Sequence, residues 1–245
     1  MWRKRIEMRI LSDKVVIRRN EKILLEVVRP NVHPNNHSLS ELIQSIVLDS
    51  EISKYLVNCN CDIIIDDVYF DIIFCDWQPA LVSETERQSY LRASLNNAYR
   101  NVKDNTHLFC ADFPRPLSQG IAYAIRAEEI ERLVDLLYTF KCHLKSILPI
   151  SAEILRQKYS KKNALLIFKT GSFLGVFKRQ VGSESRIFWD VSIPNCAFGL
   201  RRIWLKQNFN PNSILIYKDS FSEIEIEEFN IEIIRDFPDK DVQYI

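Results

Sequence analysis

Residues 163–190 constrain the fold of this chain more than any other segment, because they predict three consecutive β-strands. Glycine tolerates the positive φ angles that tight hairpin turns require. Short glycine-containing turns between apolar runs therefore predict an antiparallel meander, and its position indicates the start of a second folding unit. The apolar runs are Ala164–Phe168, Phe173–Lys178 and Arg186–Val191, and the turns are Thr170-Gly171-Ser172 and Gly182-Ser183-Glu184-Ser185.

The composition is that of a folded protein. A chain of 245 residues with 47% hydrophobic and 27% charged residues can bury a sizeable core in one large domain or two lobes. Its formal net charge of +1 gives no global reason to expect nucleic-acid binding. Met1–Ile10 lacks the apolar core of a signal peptide, and no segment has the roughly 18 apolar residues of a membrane helix. We therefore expect a cytoplasmic protein whose membrane attachment, if any, goes through a partner.

The first half of the chain predicts a mixture of strands and helices. Period-2 alternation marks the strands, while capping boxes and apolar residues at helical spacing mark the helices. The predicted elements are strands 12–19 and 22–29, helix 38–49, β-structure at 61–75 that is either one strand or a hairpin turning at Asp66-Asp67, a helix from Ser83 to about residue 102, strands 108–112 and 121–126, helix 127–141 and strand 144–149.

The second half predicts an order that belongs to a known fold. Around the meander lie a short helix 151–159 capped by Ser151, a helix opened by Pro194, strand 213–217, an acidic segment to Glu228 that is either a helix or an edge strand, strand 231–234 and a loose tail from Pro238. The order from residue 163 onwards, β-β-β-α-β-α-β, is that of the ribonuclease H-like fold. The first half follows the same order if helix 38–49 and the extra strands are insertions. We predict an α/β fold with a mixed sheet and helices on its faces.

Several segments also carry a resemblance to a protein family. They are Trp77-Gln78-Pro79 with the following helix that contains Ala93, Leu95 and Tyr99, then Gly120–Ile125, helix 127–141, the Leu144–Ser151 passage, and Asn163–Phe168 before Gly171. On these segments the chain resembles a divergent member of the actin-like group that includes the pilus assembly protein PilM and the cytoplasmic domain of the secretion protein GspL.

This resemblance implies an architecture and a role. The architecture is that of a two-lobed actin-like ATPase, with a ribonuclease H-like fold in each lobe: residues 1–150, with insertions, and residues 151–245. The implied role is a non-catalytic scaffold or adaptor on the cytoplasmic side of a type IV pilus or type II secretion assembly. Such an adaptor would bind an inner-membrane pilus or secretion protein through a groove.

The resemblance also raises the alternative of a nucleotide-binding actin-like ATPase. Such proteins hold phosphates in one hairpin turn per lobe, where backbone N–H groups surround the anion. The turn predicted as equivalent in the first lobe, Arg19-Asn20-Glu21, has no glycine. In the second lobe, Thr170, Gly171 and Ser172 are the candidate cofactor-binding residues, but Lys169 stands where an acid is expected. We therefore predict that ATP turnover has been lost and that ATP and Mg²⁺ are not required.

A third reading is a metal-dependent nuclease, in which clustered carboxylates hold two metal ions. The candidate carboxylates are Asp62, Asp66, Asp67, Asp71 and Asp76. Successive side chains of a strand point to opposite faces, so these five residues cannot all converge. We assign no catalytic residue and no metal ligand from the sequence.

The cysteines and histidines suggest no site either. The closest cysteine pair is Cys59-Asn60-Cys61, whose spacing suits tetrahedral zinc poorly. We expect reduced, buried or half-buried thiols. The four histidines are scattered, and no serine or cysteine lies in a nucleophile elbow.

Overall fold

The structure is a computed structural model. It describes residues 4–11, 14–20, 22–28, 39–75, 78–99, 106–112, 120–156, 164–170, 173–180, 183–190, 213–221, 226–227 and 241–244. The helices in these ranges are α1 Leu39–Val47, α2 Ser50–Leu56, α3 Glu84–Ala98, α4 Ala127–Thr139 and α5 Ile150–Arg156. The strands are β1 Lys4–Ile10, β2 Lys14–Arg19, β3 Lys22–Val28, β4 Cys59–Ile65, β5 Asp71–Cys75, β6 His107–Asp112, β7 Gly120–Arg126, β8 His143–Pro149, β9 Ala164–Thr170, β10 Phe173–Gln180, β11 Ser183–Asp190, β12 Ser213–Ile216 and β13 Asp241–Tyr244.

The described residues form two compact units. The first unit contains the described residues up to Cys75, together with Ala80–Asp112 and Ile121–Arg156. The second unit contains the described residues from Ala164 onwards. Each unit contains a five-stranded mixed sheet, and the first unit contains a further sheet of three strands.

The large sheet of the first unit has the strand order β3-β2-β1-β4-β8. β1, β2 and β3 are antiparallel neighbours, whereas β4 runs parallel to β1 and β8 runs parallel to β4. Along β1 the buried Ile6, Met8 and Ile10 alternate with Arg5, Glu7 and Arg9. The sheet therefore has one apolar face and one face that carries charges.

The large sheet of the second unit has the corresponding order, β11-β10-β9-β12-β13. β9, β10 and β11 form the antiparallel meander predicted from the sequence, and β12 and β13 continue it in parallel. The last turn of the meander is shorter than predicted, because Ser183, Glu184 and Ser185 already pair with β10.

Both units thus show three antiparallel strands followed by two parallel ones, which is the order of the ribonuclease H-like fold. The predicted α/β class with mixed sheets is confirmed. One assignment within the first half is wrong, however: residues 4–10 form the first strand of the meander, and the sequence analysis had placed no strand there.

The insertion in the first unit also lies elsewhere than predicted. α1 and α2 connect β3 to β4, so the helix predicted at 38–49 is a regular element of the fold. The inserted part is the three-stranded sheet β5-β7-β6 with α3, which packs against β5 and β6. β4 and β5 lie in different sheets, so residues 61–75 form neither one strand nor a hairpin.

The chain tail differs from prediction as well. Residues 241–244 form β13 and pair in parallel with β12, whereas a loose tail was predicted. The helix predicted from Pro194 and the strand predicted at 231–234 lie outside the described residues.

Candidate functional site

A pocket of about 470 Å³ opens on the charged face of the first unit's large sheet. Its centre is one row of side chains across four neighbouring strands, because the register places Arg18 opposite Glu7, Glu7 opposite Asp62, and Asp62 opposite Ser146. We call this set the polar row. Side chains directly opposite each other on neighbouring strands lie about 5 Å apart, so the members of the row are close enough to interact electrostatically.

Asp62 is the best-defined member of the polar row. Its Oδ2 accepts a hydrogen bond from Arg5 Nε at 2.6 Å, and its Oδ1 accepts one from Ser146 Oγ at 2.7 Å. Burial raises the pKa of the Asp62 carboxyl, but the hydrogen bonds from Arg5 and Ser146 outweigh burial, so that this pKa is lowered overall. Asp62 is therefore a fixed anion at neutral pH and unsuited to act as a general base.

Glu7, the other carboxylate of the row, is also held by an arginine. Arg9 Nε lies 2.6 Å from Glu7 Oε1, and the Arg9 side chain is only 7% exposed. An arginine this deeply buried requires a partner, since an unpaired charge in such a place costs several kcal/mol. The pair fixes both side chains along β1.

The two ends of the pocket differ in character. At one end lie Arg5, Arg19 and Asn20, and the Arg5 side chain is 76% exposed. At the other end the register aligns Arg9 with Ile64 and Ile64 with Leu148, which gives this end aliphatic side chains. Glu153 of α5 also lines the pocket. We call the whole cavity the arginine pocket.

The arginine pocket was not predicted from the sequence, because no strand was predicted at residues 4–10. The signal was present, since Arg5, Glu7 and Arg9 alternate strictly with Ile6, Met8 and Ile10. Such alternation over six residues is typical of a strand with one buried face.

The aspartates considered for a nuclease are held apart in the structure. Asp66 accepts from Val68 N at 3.2 Å and caps the 3-10 turn Asp67–Tyr69, while Asp67 Oδ1 accepts from Ser151 N at 2.9 Å at the start of α5. Asp71 lies on β5 in the other sheet, and Asp76 is outside the described residues. Within the described ranges, no group of three or more His, Cys, Asp or Glu side chains is placed to hold a metal ion.

Ser151 therefore has a different role from the one predicted. It lies inside the first turn of α5 and donates its N–H to Asp67, whereas the sequence analysis had made it the helix cap. The Ser151 hydroxyl is buried and has no hydrogen-bond partner within the described part of the chain.

The predicted phosphate turns need one correction. By strand order, the turn that corresponds to the β9–β10 turn is the one between β1 and β2, at residues 11–13, rather than Arg19-Asn20-Glu21, which joins β2 to β3. Its sequence, Leu11-Ser12-Asp13, also lacks glycine. In the second unit, Thr170 ends β9 and pairs with Phe173, while Gly171 and Ser172 lie outside the described residues.

A second feature that the sequence analysis missed is a pair of buried thiols. Cys59 Sγ lies 3.3 Å from Cys142 Sγ, where β4 begins and just before β8 begins. The hydrogen bond to Cys142 and burial raise the pKa of the Cys59 thiol. Only the fold brings these two residues together, because they lie 83 positions apart in the chain.

Comparison with known proteins finds similarity in structure alone. No protein-family model matches the sequence, and no curated protein matches it. Within the described residues, no helix is long and apolar enough to cross a membrane.

Three solved structures share the fold over almost the whole chain. A Bacteroides thetaiotaomicron protein with an actin-like ATPase fold and unknown function is 11% identical, with a TM-score of 0.61 over 98% of this chain and 90% of that one. PilM in the PilM–PilN type IV pilus biogenesis complex is 8% identical, with a TM-score of 0.57 over 99% and 88%. The cytoplasmic domain of EpsL, an inner-membrane component of the Vibrio cholerae type II secretion system, is 10% identical, with a TM-score of 0.52 over 94% of each chain. The predicted actin-like architecture and the resemblance to PilM and GspL are confirmed at the level of the fold.

Proposed function

We propose that this protein is a non-catalytic actin-like adaptor that acts in the cytoplasm. It binds a cytosolic segment of an inner-membrane protein in an assembly related to type IV pili or type II secretion systems. The observation that carries the proposal is the fold shared, over at least 94% of this chain, with the cytoplasmic domain of EpsL and with PilM. PilM was solved in complex with PilN, and EpsL is an inner-membrane component.

The local chemistry supports an adaptor rather than an ATPase. The turn at residues 11–13 has no glycine to bring backbone N–H groups close to a phosphate. Asp66 and Asp67, at the carboxyl end of β4, cap backbone N–H groups. A carboxylate that already caps a helix is a poor candidate for positioning a metal ion and a water molecule.

One feature keeps the ATPase as the second candidate. The turn between β9 and β10 contains two hydroxyl side chains and a glycine, in Thr170, Gly171 and Ser172, whereas the corresponding turn at residues 11–13 has no glycine. A hairpin turn of this composition is able to present backbone N–H groups to an anion. Under the adaptor proposal this turn binds no nucleotide, and neither ATP nor Mg²⁺ is a cofactor.

The adaptor proposal is tested by crosslinking and purifying the tagged protein from its native cells and identifying what it carries by mass spectrometry. We expect an inner-membrane pilus or secretion protein. Its cytosolic segment, made as a synthetic peptide, should then bind the purified protein in calorimetry. Recovery of soluble proteins alone, or a synthetic segment that does not bind, would count against the adaptor.

A thermal-shift measurement with millimolar Mg-ATP separates the two candidates, because a ligand that binds only the native state raises the melting temperature. We expect no shift. A shift that Gly171→Asp abolishes would replace the adaptor with a nucleotide-binding ATPase.

A further inference from the structure

We propose that the arginine pocket binds an extended peptide segment in which an acidic residue and an aliphatic residue are about four positions apart. The inference deepens the proposed function, on which it rests for the presence of a protein partner. It names the surface of this chain that receives the partner and the chemistry that the partner segment must have.

The size of the pocket suits such a segment. Its volume of about 470 Å³ falls in the range of about 300–1,000 Å³ that is usual for ligand sites. The spacing of the segment follows from β1, since Arg5 and Arg9 are four residues apart on a strand. At about 3.3 Å per residue they are separated by about 13 Å, which an extended peptide covers in about four residues.

The charges decide which end of the pocket receives the acidic residue. Glu7 is paired with Arg9, and both oxygens of Asp62 accept hydrogen bonds, so the charges of these two carboxylates are compensated by neighbouring side chains. Arg5 uses Nε toward Asp62, and its side chain is largely exposed. Its planar guanidinium has further N–H donors on the terminal nitrogens, in a geometry that matches a carboxylate. Arg19 and Asn20 lie at the same end.

The opposite end receives the aliphatic residue. Ile64 is buried and Leu148 is half-buried, and they are paired in the register beside Arg9. Ile64 is already only 3% exposed, so the gain comes from covering Leu148, at about 25 cal/mol for each Å² of apolar surface removed from water. A small anion would leave the apolar surface of Leu148 uncovered and would not span both ends of the pocket. The observations therefore favour a peptide over a free anion.

The probe for the test is a short fluorescein-labelled peptide with two glutamates at one end and two leucines at the other, about four residues apart. Binding to the full chain is measured by fluorescence anisotropy. Two control peptides carry glutamine in place of glutamate or serine in place of leucine. We expect both controls to bind more weakly than the probe, and we expect added salt to weaken the binding of the probe.

The variants target the exposed arginines, so that the fold is kept. Arg5→Gln and Arg19→Gln should each weaken binding of the probe by about two- to fivefold, the range of an exposed ion pair, and the double variant by roughly tenfold. Arg5→Lys should recover only part of the loss, since it restores the charge without the planar fork. The matched control is Arg132→Gln: Arg132 is exposed on α4, pairs with Glu128 and does not line the pocket. It should leave binding unchanged.

Two results would overturn the inference. One is unchanged binding of the probe in the double variant, with the far-ultraviolet circular dichroism of the wild type retained. The other is displacement of the probe by inorganic phosphate at equal concentration, which would make the pocket a simple anion site.

The failure of the inference can be told apart from the failure of the proposed function. If the captured inner-membrane partner's segment binds the Arg5→Gln/Arg19→Gln variant as well as it binds the wild type, the adaptor stands and the pocket is not its surface. If the probe binds in the pocket but no inner-membrane partner is captured, the pocket stands and the adaptor proposal fails.

Discussion

The contact between Gly175 and Phe168 provides a sharp test of the second unit's meander. The two residues face each other in the β9–β10 pair, and the Phe168 ring lies directly over Gly175. A Cβ atom added to Gly175 would come within 2.5 Å of Phe168 Cε1 and Cε2, and closer still to Cζ. Because carbon atoms in contact stay about 3.5–4.0 Å apart, Gly175→Ala forces the ring to move by about 1 Å or more.

The ring has little room to move. Phe168 is fully buried and stacks on Phe177, with ring centroids 5.4 Å apart and planes at 21°. Overpacking of this kind costs about 1–3 kcal/mol. For a chain of this length each kcal/mol corresponds to about 2–4 °C, so we expect Gly175→Ala to lower the melting temperature by about 2–12 °C.

A double-mutant cycle measured by thermal or urea unfolding isolates this contact. Phe168→Leu alone should destabilise the protein, because it removes buried ring atoms. In the Phe168→Leu background, however, Gly175→Ala should cost less than about 0.5 kcal/mol or even stabilise, since alanine is favoured over glycine in a strand. An alanine that costs equally in both backgrounds, or nothing in the wild type, would show that the ring does not lie over Gly175.

Two further predictions concern the first unit. The lowered pKa of Asp62 means that its charge stabilises the fold above the carboxyl's unfolded pKa, and that this contribution is lost as the pH falls through its folded pKa. The free energy of unfolding, measured by urea titration, should therefore fall less between about pH 5 and pH 2 in Asp62→Asn than in the wild type. An identical pH dependence of the two proteins would contradict the pairing of Asp62 with Arg5 and Ser146. Burial and the raised pKa of Cys59 predict slow alkylation, so iodoacetamide at neutral pH should modify the exposed Cys110 well before Cys59 and Cys142, as read by peptide mass spectrometry. Equal rates at all three thiols would argue against the buried pair.

Whether a strand could be predicted from the sequence depended on how that strand is buried. Ala164–Phe168 is buried at every position, so its sequence is a continuous apolar run that is hard to mistake. β1 is equally central in its own sheet, yet four of its seven residues are charged, namely Lys4, Arg5, Glu7 and Arg9. A short, charged segment at the beginning of a chain resembles a polar terminus unless its alternation is tested.

Contacts between distant residues could not be predicted from one sequence. The pair Cys59–Cys142 and the hydrogen bond from Ser151 to Asp67 both join residues more than 80 positions apart. They form because β4 and β8 pair in the same sheet. This pairing depends on the order of the strands in the sheet, which no local sequence pattern specifies. The same holds for the end of the chain, where a polar segment becomes β13 because β12 offers it an edge for pairing.

The two large sheets differ in where they carry charged side chains. They share one strand order, so β1 and β4 correspond to β9 and β12. Ala164–Phe168 of β9 and the whole of β12 are buried, and these nine residues include no charged side chain. In β1 and β4, by contrast, Arg9, Glu7 and Asp62 stand on one face of the sheet, and the Arg9 and Asp62 side chains are only 7% and 17% exposed. Burying these charges has a cost that a structural sheet does not need. Since the second unit shows that the same strand order folds with apolar strands at these positions, the charges of the arginine pocket are not a requirement of the fold, and binding is the physical reason we assign to them.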